Sequence, residues 1–138
     1  MALVLDTGPI VALLDASDPE HRRCVRAVED AGEDLVIPAP VLVEVDYWLH
    51  KLYGARPWQT FVEDIVRGAY RLHHLDEHQL QRAAELEQTY ESLDLGFVDA
   101  AVIVTCETLA ETKVATLDRR DFSVVAPRHC RRLAILPG

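Results

Sequence analysis

The sequence lacks any segment that would hold a protein in a membrane. It has no run of about 18 apolar residues, the length that a membrane-spanning helix requires. The opening MALVLDTGPIVALLD has no basic leader and no small-residue cleavage site, and Asp6 interrupts its apolar stretch. We therefore expect a cytoplasmic protein with no membrane partner.

Cysteine is also scarce, and its spacing argues against a disulfide scaffold. The three cysteines, Cys24, Cys106 and Cys130, are odd in number, far apart and free of any CxxC spacing. This pattern fits a reducing compartment, where a cysteine usually serves as a small buried hydrophobic residue.

Low-complexity tracts and internal repeats are absent as well. Of the 138 residues, 49% are hydrophobic and 27% are charged, which is ordinary globular usage. A chain of this length buries one core without disulfides or a structural metal. We expect a single domain over residues 1–138.

Positive charge is in short supply. The chain has 14 basic and 23 acidic residues and a formal net charge of −9, which argues against binding nucleic acid on a broad basic surface. A nuclease is not excluded. A site for divalent cations is itself built from carboxylates, and the metal supplies the charge that meets the phosphate.

Short apolar strands alternate with amphipathic helices along the chain. The periodicity predicts strands at 2–5, 35–37, 70–75, 113–117 and 133–136. It predicts helices near 7–14, 19–29 with Asp18 as N-cap, 40–53, 57–66, 77–90 with Asp76 as N-cap, and 97–109. The apolar face predicted for helix 40–53 consists of Val41, Val45, Trp48, Leu49 and Leu52. This alternation predicts an α/β fold with a mostly parallel central sheet, which binds ligands at the carboxyl ends of its strands.

Four acidic residues lie where this patterning would not place them. Asp6 and Asp118 directly follow predicted strands, so they belong to the ligand-binding edge of the sheet. Glu44 and Asp99 lie near the starts of two apolar helices, where a buried carboxylate is unfavourable unless its charge is compensated. Oxygen ligands without histidine or cysteine favour Mg²⁺, with Mn²⁺ as the alternative, over zinc.

Each acid taken alone has a simpler explanation. Asp6 and Asp118 would serve as N-caps of the segments that follow them, and Glu44 and Asp99 as first-turn acids favoured by the helix dipole. Four such acids at converging ends of one sheet are harder to explain in this way. Thr116, two residues before Asp118 on the same strand face, would assist it.

Four segments resemble the acidic motifs of PIN-domain ribonucleases, in order and at that family's usual spacing. They are VLDTGPIVALLD, IPAPVLVEVDYWL, LDLGFVDAAVIVTCE and VATLDRRDF, and they span almost the whole chain. The most similar subset is the VapC toxin family of type II toxin–antitoxin systems. The ending LDRRDFSVVAPRHCRRLAILPG resembles VapC proteins of actinobacteria in particular.

The resemblance implies a PIN-like three-layer α/β/α fold and Mg²⁺-dependent hydrolysis of phosphodiester bonds in tRNA or ribosomal RNA. Asp6 and Asp99 would be the principal metal ligands. Glu44 would complete the site directly or through water, and Asp118 would hold a second metal or an outer-shell water. A VapB-like antitoxin and a second copy of the chain would be the protein partners.

Two further acids are candidates for the same site. Asp94 matches an acid found in many relatives just before the GFVDA helix, although a plain loop role explains it nearly as well. Asp121 competes with Asp118 for the fourth role, and Asp118 is preferred because it lies at the strand end.

Basic and aromatic residues near these motifs suggest contact surfaces. Arg119 and Arg120 would contact RNA phosphates, with a solvated basic tail as the alternative. Around Gly54 a helical hairpin concentrates aromatic residues, which would bind an amphipathic antitoxin helix or simply pack in the core. These aromatic residues are Trp48, Tyr53, Trp58 and Phe61.

Three other functions compete with the toxin. One is a PIN nuclease that acts in RNA maturation without an antitoxin. A second is a non-catalytic signalling module with an acidic Mg²⁺ pocket, but that class needs a paired acid after the first strand and a lysine after the last, and neither is present. A third is a degenerate PIN scaffold, which the intact acidic set disfavours.

Overall fold

A sheet of five parallel strands runs through the middle of the computed structural model, which describes residues 1–138. The strands are β1 (Ala2–Leu5), β2 (Asp34–Pro38), β3 (Arg71–His73), β4 (Lys113–Ala115) and β5 (Ala134–Leu136). The helices are α1 (Thr7–Leu14), α2 (His21–Ala31), α3 (Val41–Tyr53), α4 (Arg56–Val66), α5 (Glu77–Thr89), α6 (Phe97–Leu109) and α7 (Arg119–Val124), with a short 3₁₀ helix at Glu91–Leu93. The predicted α/β class is confirmed.

The strand order creates a switch point beside the first strand. The sheet runs β3-β2-β1-β4-β5, and each neighbouring pair is parallel. Val4 pairs with Val36 on one side and with Val114 on the other, so the chain turns in opposite directions after β1 and after β4. Open parallel sheets bind ligands beyond the strand ends at such a point. Side chains that follow Leu5 and Ala115 are therefore well placed for function.

Helices cover both faces of the sheet. All four residues of β1 are buried, and because successive side chains of a strand point to opposite faces, neither face of β1 reaches solvent. Helix α6 packs on β1 and β2, and α5 packs on α6. Helix α1 contacts α2 and α3, and α3 contacts α4. This is the layered arrangement expected from the sequence.

Local sequence signals explain several helix ends. The carboxylate of Asp76 accepts a 2.9 Å hydrogen bond from the amide of Gln79, so Asp76 caps α5 as predicted. Gly54 ends α3 with a φ of 86°, a conformation that residues with a Cβ rarely adopt.

Helix α2 begins at His21 and not, as predicted, directly after an Asp18 cap. The carboxylate of Asp18 accepts a 2.8 Å hydrogen bond from the amide of Glu20, and the carbonyl of Asp18 accepts one of 3.0 Å from the amide of His21. These bonds form a local turn, which competes with helix formation around Pro19.

The segment after β4 also differs from the prediction. The strand was expected to continue to residue 117 but pairs only to Ala115, and α7, which the periodicity did not predict, begins at Arg119. The carboxylate of Asp118 accepts a hydrogen bond of 3.3 Å from the amide of Asp121 and caps this short helix. Both acids therefore belong to one helical turn.

The predicted apolar face of α3 is partly wrong. Val41, Val45 and Leu49 are fully buried and recur every four residues, whereas Trp48 and Leu52 are exposed. The buried stripe is therefore narrower than the apolar pattern, and the remaining apolar side chains of α3 face solvent.

Phe61 lies on the core side of the helical hairpin. The sequence leaves open whether it lines a partner-binding groove or packs in the core, and its side chain is 0% exposed, with its ring edge-on to that of Tyr70 at a centroid distance of 5.3 Å. It belongs to the hydrophobic core, so it cannot contact a partner directly.

The structure also describes the two features that are scarce in the sequence, long apolar segments and cysteines. No helix has the length and apolar character needed to cross a bilayer. Cys24 and Cys106 are buried, as small hydrophobic residues would be, and Cys130 is partly exposed.

Candidate active site

Asp6 lies at the switch point of the sheet. Its amide donates a 2.9 Å hydrogen bond to the carbonyl of Ala115, which ties the end of β1 to the end of β4. The residue is only 7% exposed. Asp6 occupies the N-cap position of α1, but its side chain makes no cap hydrogen bond. It accepts one of 2.8 Å from the hydroxyl of Thr116, so the capping explanation does not account for this carboxylate.

Asp118 and Asp121 reach the same edge of the sheet from the first turn of α7. The amide of Asp118 donates a 3.0 Å hydrogen bond to the hydroxyl of Thr116, which fixes the turn after β4. Asp118 does cap α7, so the simpler explanation is correct in part. Asp121 is the more deeply placed of the two, with 8% of its surface exposed.

Asp99 brings a third helix to this point. It lies in the first turn of α6, and the residues that follow it, from Ala100 to Cys106, are all buried. One carboxylate oxygen from each of Asp99, Asp118 and Asp121 lies within 4.8 Å of the others. This spacing suits three ligands of one cation.

Glu44 enters from the first turn of α3, and Thr7 holds it in place. The hydroxyl of Thr7 donates a 2.7 Å hydrogen bond to Oε1 of Glu44. Thr7 is buried and directly follows Asp6 in the chain, so one segment positions both acids. Thr7 could not be predicted from the sequence, because its partner is 37 residues away and no local pattern reveals it.

Burial and repulsion between neighbouring acids raise the pKa values of Asp99 and Asp6. Burial, followed by the charges of four other acids, raises the pKa of Asp99 to about 7. Those four acids are Asp6, Asp118, Asp121 and Glu44. Burial also raises the pKa of Asp6, while its hydrogen bond from Thr116 acts in the opposite direction. Perturbed acids of this kind are common at functional sites.

The structure thus brings together all four predicted acids and adds Asp121, which was ranked below Asp118. Asp121 comes three residues after Asp118. This spacing brings the two side chains together only because residues 119–124 form a helix. Asp94 is not among the three acids whose carboxylate oxygens lie within 4.8 Å of one another. It is exposed and ends the 3₁₀ helix with a φ of 54°, and it makes no hydrogen bond to the cluster.

The two arginines predicted to bind RNA lie beside the acids. Nε of Arg120 is 3.3 Å from Oδ1 of Asp121, and its side chain is 78% exposed. Arg120 is the one basic side chain that forms an ion pair with the cluster. Nη1 of Arg119 donates a 2.9 Å hydrogen bond to the carbonyl of Pro137 and so points toward the end of β5.

The donor set fits a hard divalent cation. It consists of carboxylate oxygens supported by two threonine hydroxyls, with no histidine or cysteine among them. One exposed arginine does not balance the negative charge of the clustered acids, so the site could hold a cation. Asp99, Asp118 and Asp121 would be direct ligands, and Asp6 and Glu44 would complete the site.

The other predicted partner residues lie on or near α3 and α4. Trp48 is 41% exposed, and Tyr53 is exposed with its hydroxyl donating to Asp15. Trp58 is half-buried and packs against the core, with its ring centroid 6.0 Å from that of Phe61. Of the tryptophans, Trp48 is therefore the better candidate for a surface contact.

Residues 3–127 of the sequence match the PIN domain family. The chain belongs to the PIN-domain family. This PIN domain is 26% identical over 135 residues to Ribonuclease VapC26 of Mycobacterium tuberculosis, a match that covers 98% of the chain and 100% of the relative. The expectation of family membership is confirmed.

Solved structures share the fold of this PIN domain. VapC20 of Mycobacterium tuberculosis, described as a sarcin-ricin loop cleaving toxin, superposes with a TM-score of 0.81 at 21% identity, covering 94% of this chain and 98% of that one. A toxin–antitoxin complex from Klebsiella pneumoniae gives a TM-score of 0.70 at 19% identity, with coverage of 89% and 92%.

Proposed function

We propose that this PIN domain is a divalent-metal-dependent endoribonuclease and the toxin of a VapBC-type toxin–antitoxin pair, acting in the cytoplasm. The observation that carries the proposal is the convergence of Asp99, Asp118 and Asp121 within 4.8 Å at the switch point of the sheet. The similarity to Ribonuclease VapC26 along 98% of the chain supports ribonuclease activity.

The reaction is hydrolysis of an RNA phosphodiester bond, in which an oxygen of water bonds to phosphorus and one P–O bond breaks. When bound, Mg²⁺ or Mn²⁺ supplies positive charge to the phosphate and lowers the pKa of water. The carboxylates of Asp99, Asp118 and Asp121 would hold the cation. Thr116 and Thr7 orient Asp6 and Glu44 through hydrogen bonds of 2.8 and 2.7 Å. No side chain is needed as nucleophile.

The substrate class is a structured cellular RNA, either tRNA or ribosomal RNA. The relative VapC20 is described as cleaving the sarcin-ricin loop, which is a ribosomal target. An exposed guanidinium at Arg120 lies next to the acids, where it would contact a phosphate beside the scissile bond.

An antitoxin is the partner that the surface of α3 favours. Apolar side chains are exposed along this helix and α4, and contiguous apolar surface commonly marks a protein interface. They are Val43, Tyr47, Trp48, Leu52 and Tyr53 on α3, and Val62 and Val66 on α4. This observation favours the toxin over a PIN nuclease that works without a partner. We also propose that the chain forms homodimers. Sedimentation of the purified chain measures its oligomeric state.

The test is cleavage of purified tRNA and ribosomal RNA with Mg²⁺, with Mn²⁺ and with EDTA. We expect cleavage with either cation, none in EDTA, and recovery when the cation is restored. Asp99→Asn should lower the rate by more than about 100-fold, because losing a ligand costs more than losing an outer-shell partner. Asp46→Asn is the matched control, since Asp46 pairs with His50 on the exposed side of α3.

Two results would overturn the proposal. One is cleavage that persists in EDTA, and the other is equal activity of the Asp99→Asn and Asp46→Asn variants. Sequencing the new 5′ ends of cellular RNA after expression of the chain identifies the target and its cleavage site.

A further inference from the structure

Several basic side chains share one groove of a protein whose net charge is −9. The groove lies between α2 and the chain after β5 and has a volume of about 590 Å³. Four basic residues line it, namely Arg22, Arg23, Arg26 and Lys113. Arg23 pairs with Glu20 and Lys113 pairs with Glu33, so the unpaired positive charge of the groove is that of Arg22 and Arg26. Asp30 is the one acid in the lining. We call this feature the α2 groove.

Two arginines of the α2 groove, Arg22 and Arg26, have no partner in α2 that would explain them as stabilising residues. Arg22 and Arg26 lie one helical turn apart, and like charges at this spacing destabilise a helix. Both side chains are exposed, and neither forms an ion pair or a side-chain hydrogen bond. Unpaired guanidinium groups that share one face of a helix are available to an external anion.

The α2 groove is connected to the acidic cluster. Nη1 of Arg119, the residue after Asp118, donates a 2.9 Å hydrogen bond to the carbonyl of Pro137. Nη2 of Arg23 donates one of 2.8 Å to the carbonyl of Gly138. Consecutive Cα atoms are about 3.8 Å apart, so these two guanidinium groups bind neighbouring points of one short segment. The segment Pro137–Gly138 therefore links Arg119, which follows an acid of the cluster, to Arg23 of the α2 groove.

We propose that the α2 groove binds the phosphate backbone of the RNA strand that continues from the cleavage site. This proposal rests on the proposed function. The acidic cluster repels a polyanion except where a cation is bound, so a long RNA needs positive charge elsewhere on the protein. Arginine suits this role because its planar guanidinium binds phosphate with two hydrogen bonds.

The chemistry of the α2 groove predicts how it discriminates between ligands. None of its lining residues is aromatic, so it offers no surface on which bases stack. Contacts to phosphate position a strand without selecting its bases. The α2 groove therefore increases affinity for long RNA and leaves the choice of cleavage site to other contacts.

The test measures binding of a fluorescein-labelled oligouridylate of about 20 nucleotides, a length that would fill the site and the groove. An Asp99→Asn background with Mg²⁺ present keeps the RNA intact. Each phosphate contact on a single strand contributes about 0.7 to the slope of log affinity against log salt, so Arg22→Gln combined with Arg26→Gln should reduce that slope by about 1.4.

The matched control removes the same charge elsewhere. Arg67 and Arg131 are exposed, form no ion pair and do not line the α2 groove. Arg67→Gln combined with Arg131→Gln should change the slope by less than half as much. Arg22→Lys combined with Arg26→Lys should restore most of the slope, because lysine keeps the charge.

Each outcome separates this proposal from the proposed function. If the two Gln double variants change the slope of log affinity against log salt equally, the α2 groove is not an RNA site. This conclusion holds even if wild type cleaves RNA normally. An unchanged RNA slope, with weaker binding of a labelled polyglutamate peptide, shows that the groove holds an acidic protein segment and also overturns it. If wild type cleaves no RNA with Mg²⁺, the proposed function fails, while the slope comparison still decides the role of the groove.

Discussion

The hydroxyl of Thr116 donates a 2.8 Å hydrogen bond to Oδ2 of Asp6, although 110 residues separate the two in the chain. The same hydroxyl accepts a 3.0 Å hydrogen bond from the amide of Asp118. Thr116 is 1% exposed, so neither bond is exchanged for one to water. One side chain therefore fixes the acids that follow β1 and β4 relative to each other.

Thr116→Val should weaken cation binding by about 10-fold to 100-fold, the usual loss when an outer-shell partner is removed. Valine has a similar shape but leaves the Asp118 amide without its acceptor and Asp6 without its donor. The hydrogen bond lowers the pKa of Asp6, so its loss should raise that pKa further and favour the protonated form. Calorimetric titration with Mg²⁺ measures the affinity.

The control for Thr116 is serine. Thr116→Ser keeps the hydroxyl and should bind Mg²⁺ within a few-fold of wild type. If valine and serine bind equally well, the hydroxyl does not organise the site. A buried amide without a partner costs about 1–3 kcal/mol, so Thr116→Val should also melt at a lower temperature.

The pKa of Asp99 makes the stability of the metal-free protein depend on pH. The pKa is about 7 in the folded chain, and it is about 3.9 in an unfolded one. The folded state therefore binds an additional proton between these values. This stabilisation is complete below about pH 4 and is lost as the pH rises toward 7. In EDTA, wild type should lose stability across this range relative to Asp99→Asn, which cannot titrate there.

Thermal melts of both proteins in EDTA, at about pH 5.5 and about pH 7.5, measure this difference. The comparison between variants cancels the contribution of the six histidines, which both proteins contain. Asp99→Asn should melt higher than wild type at the higher pH. A constant difference between the two proteins at both pH values would mean that the carboxyl of Asp99 is already ionised throughout this range.

Cation binding should reverse the loss of stability that the metal-free protein shows at neutral pH. A ligand that binds only the folded state stabilises it by about 2.7 kcal/mol at a hundredfold excess over its dissociation constant. Wild type should therefore gain about this much from Mg²⁺ at neutral pH, and Asp99→Asn should gain less at the same concentration. Equal gains would show that the carboxylate of Asp99 is not a ligand of the cation.

The sequence predicted those site residues that are charged among apolar neighbours in the chain. Asp6 stands at the end of an apolar strand and Asp99 among apolar residues of α6, so their carboxylates stood out from the pattern. The hydrogen bond from Thr7 to Glu44 did not, because it depends on how α1 and α3 pack. Tertiary packing also decides which aromatic residue faces the core, so the sequence left the choice between core and surface open for both Trp48 and Phe61.

Helix α7 explains why Asp121 was ranked too low. The helix has six residues and shows no clear period, so only the capping contact at Asp118 reveals its start.

Because Asp121 is buried and faces Asp99, Asp121→Asn should reduce Mg²⁺ affinity at least as much as Asp118→Asn. Asparagine also caps helices well, so Asp118→Asn should not unfold α7. Mg²⁺ titration of both variants, with Asp46→Asn as control, ranks the two acids. Unchanged affinity in Asp121→Asn would exclude it as a ligand.

The exposed tryptophan on α3 should contribute to antitoxin binding. Trp48 is 41% exposed and belongs to the apolar surface of α3, whereas Trp58 packs against the core. Truncation of an interface tryptophan commonly costs about 2 kcal/mol or more in binding. Trp48→Ala should therefore weaken the complex with the cognate VapB-like antitoxin, while the melting temperature and metal-dependent cleavage of the isolated chain remain close to wild type.

Trp58→Ala should do the opposite and lower the melting temperature, because it removes packing from the core. Calorimetric titration of each variant with the cognate antitoxin, together with a melt of each variant alone, measures both effects. If Trp48→Ala binds as tightly as wild type, the exposed face of α3 is not the antitoxin surface.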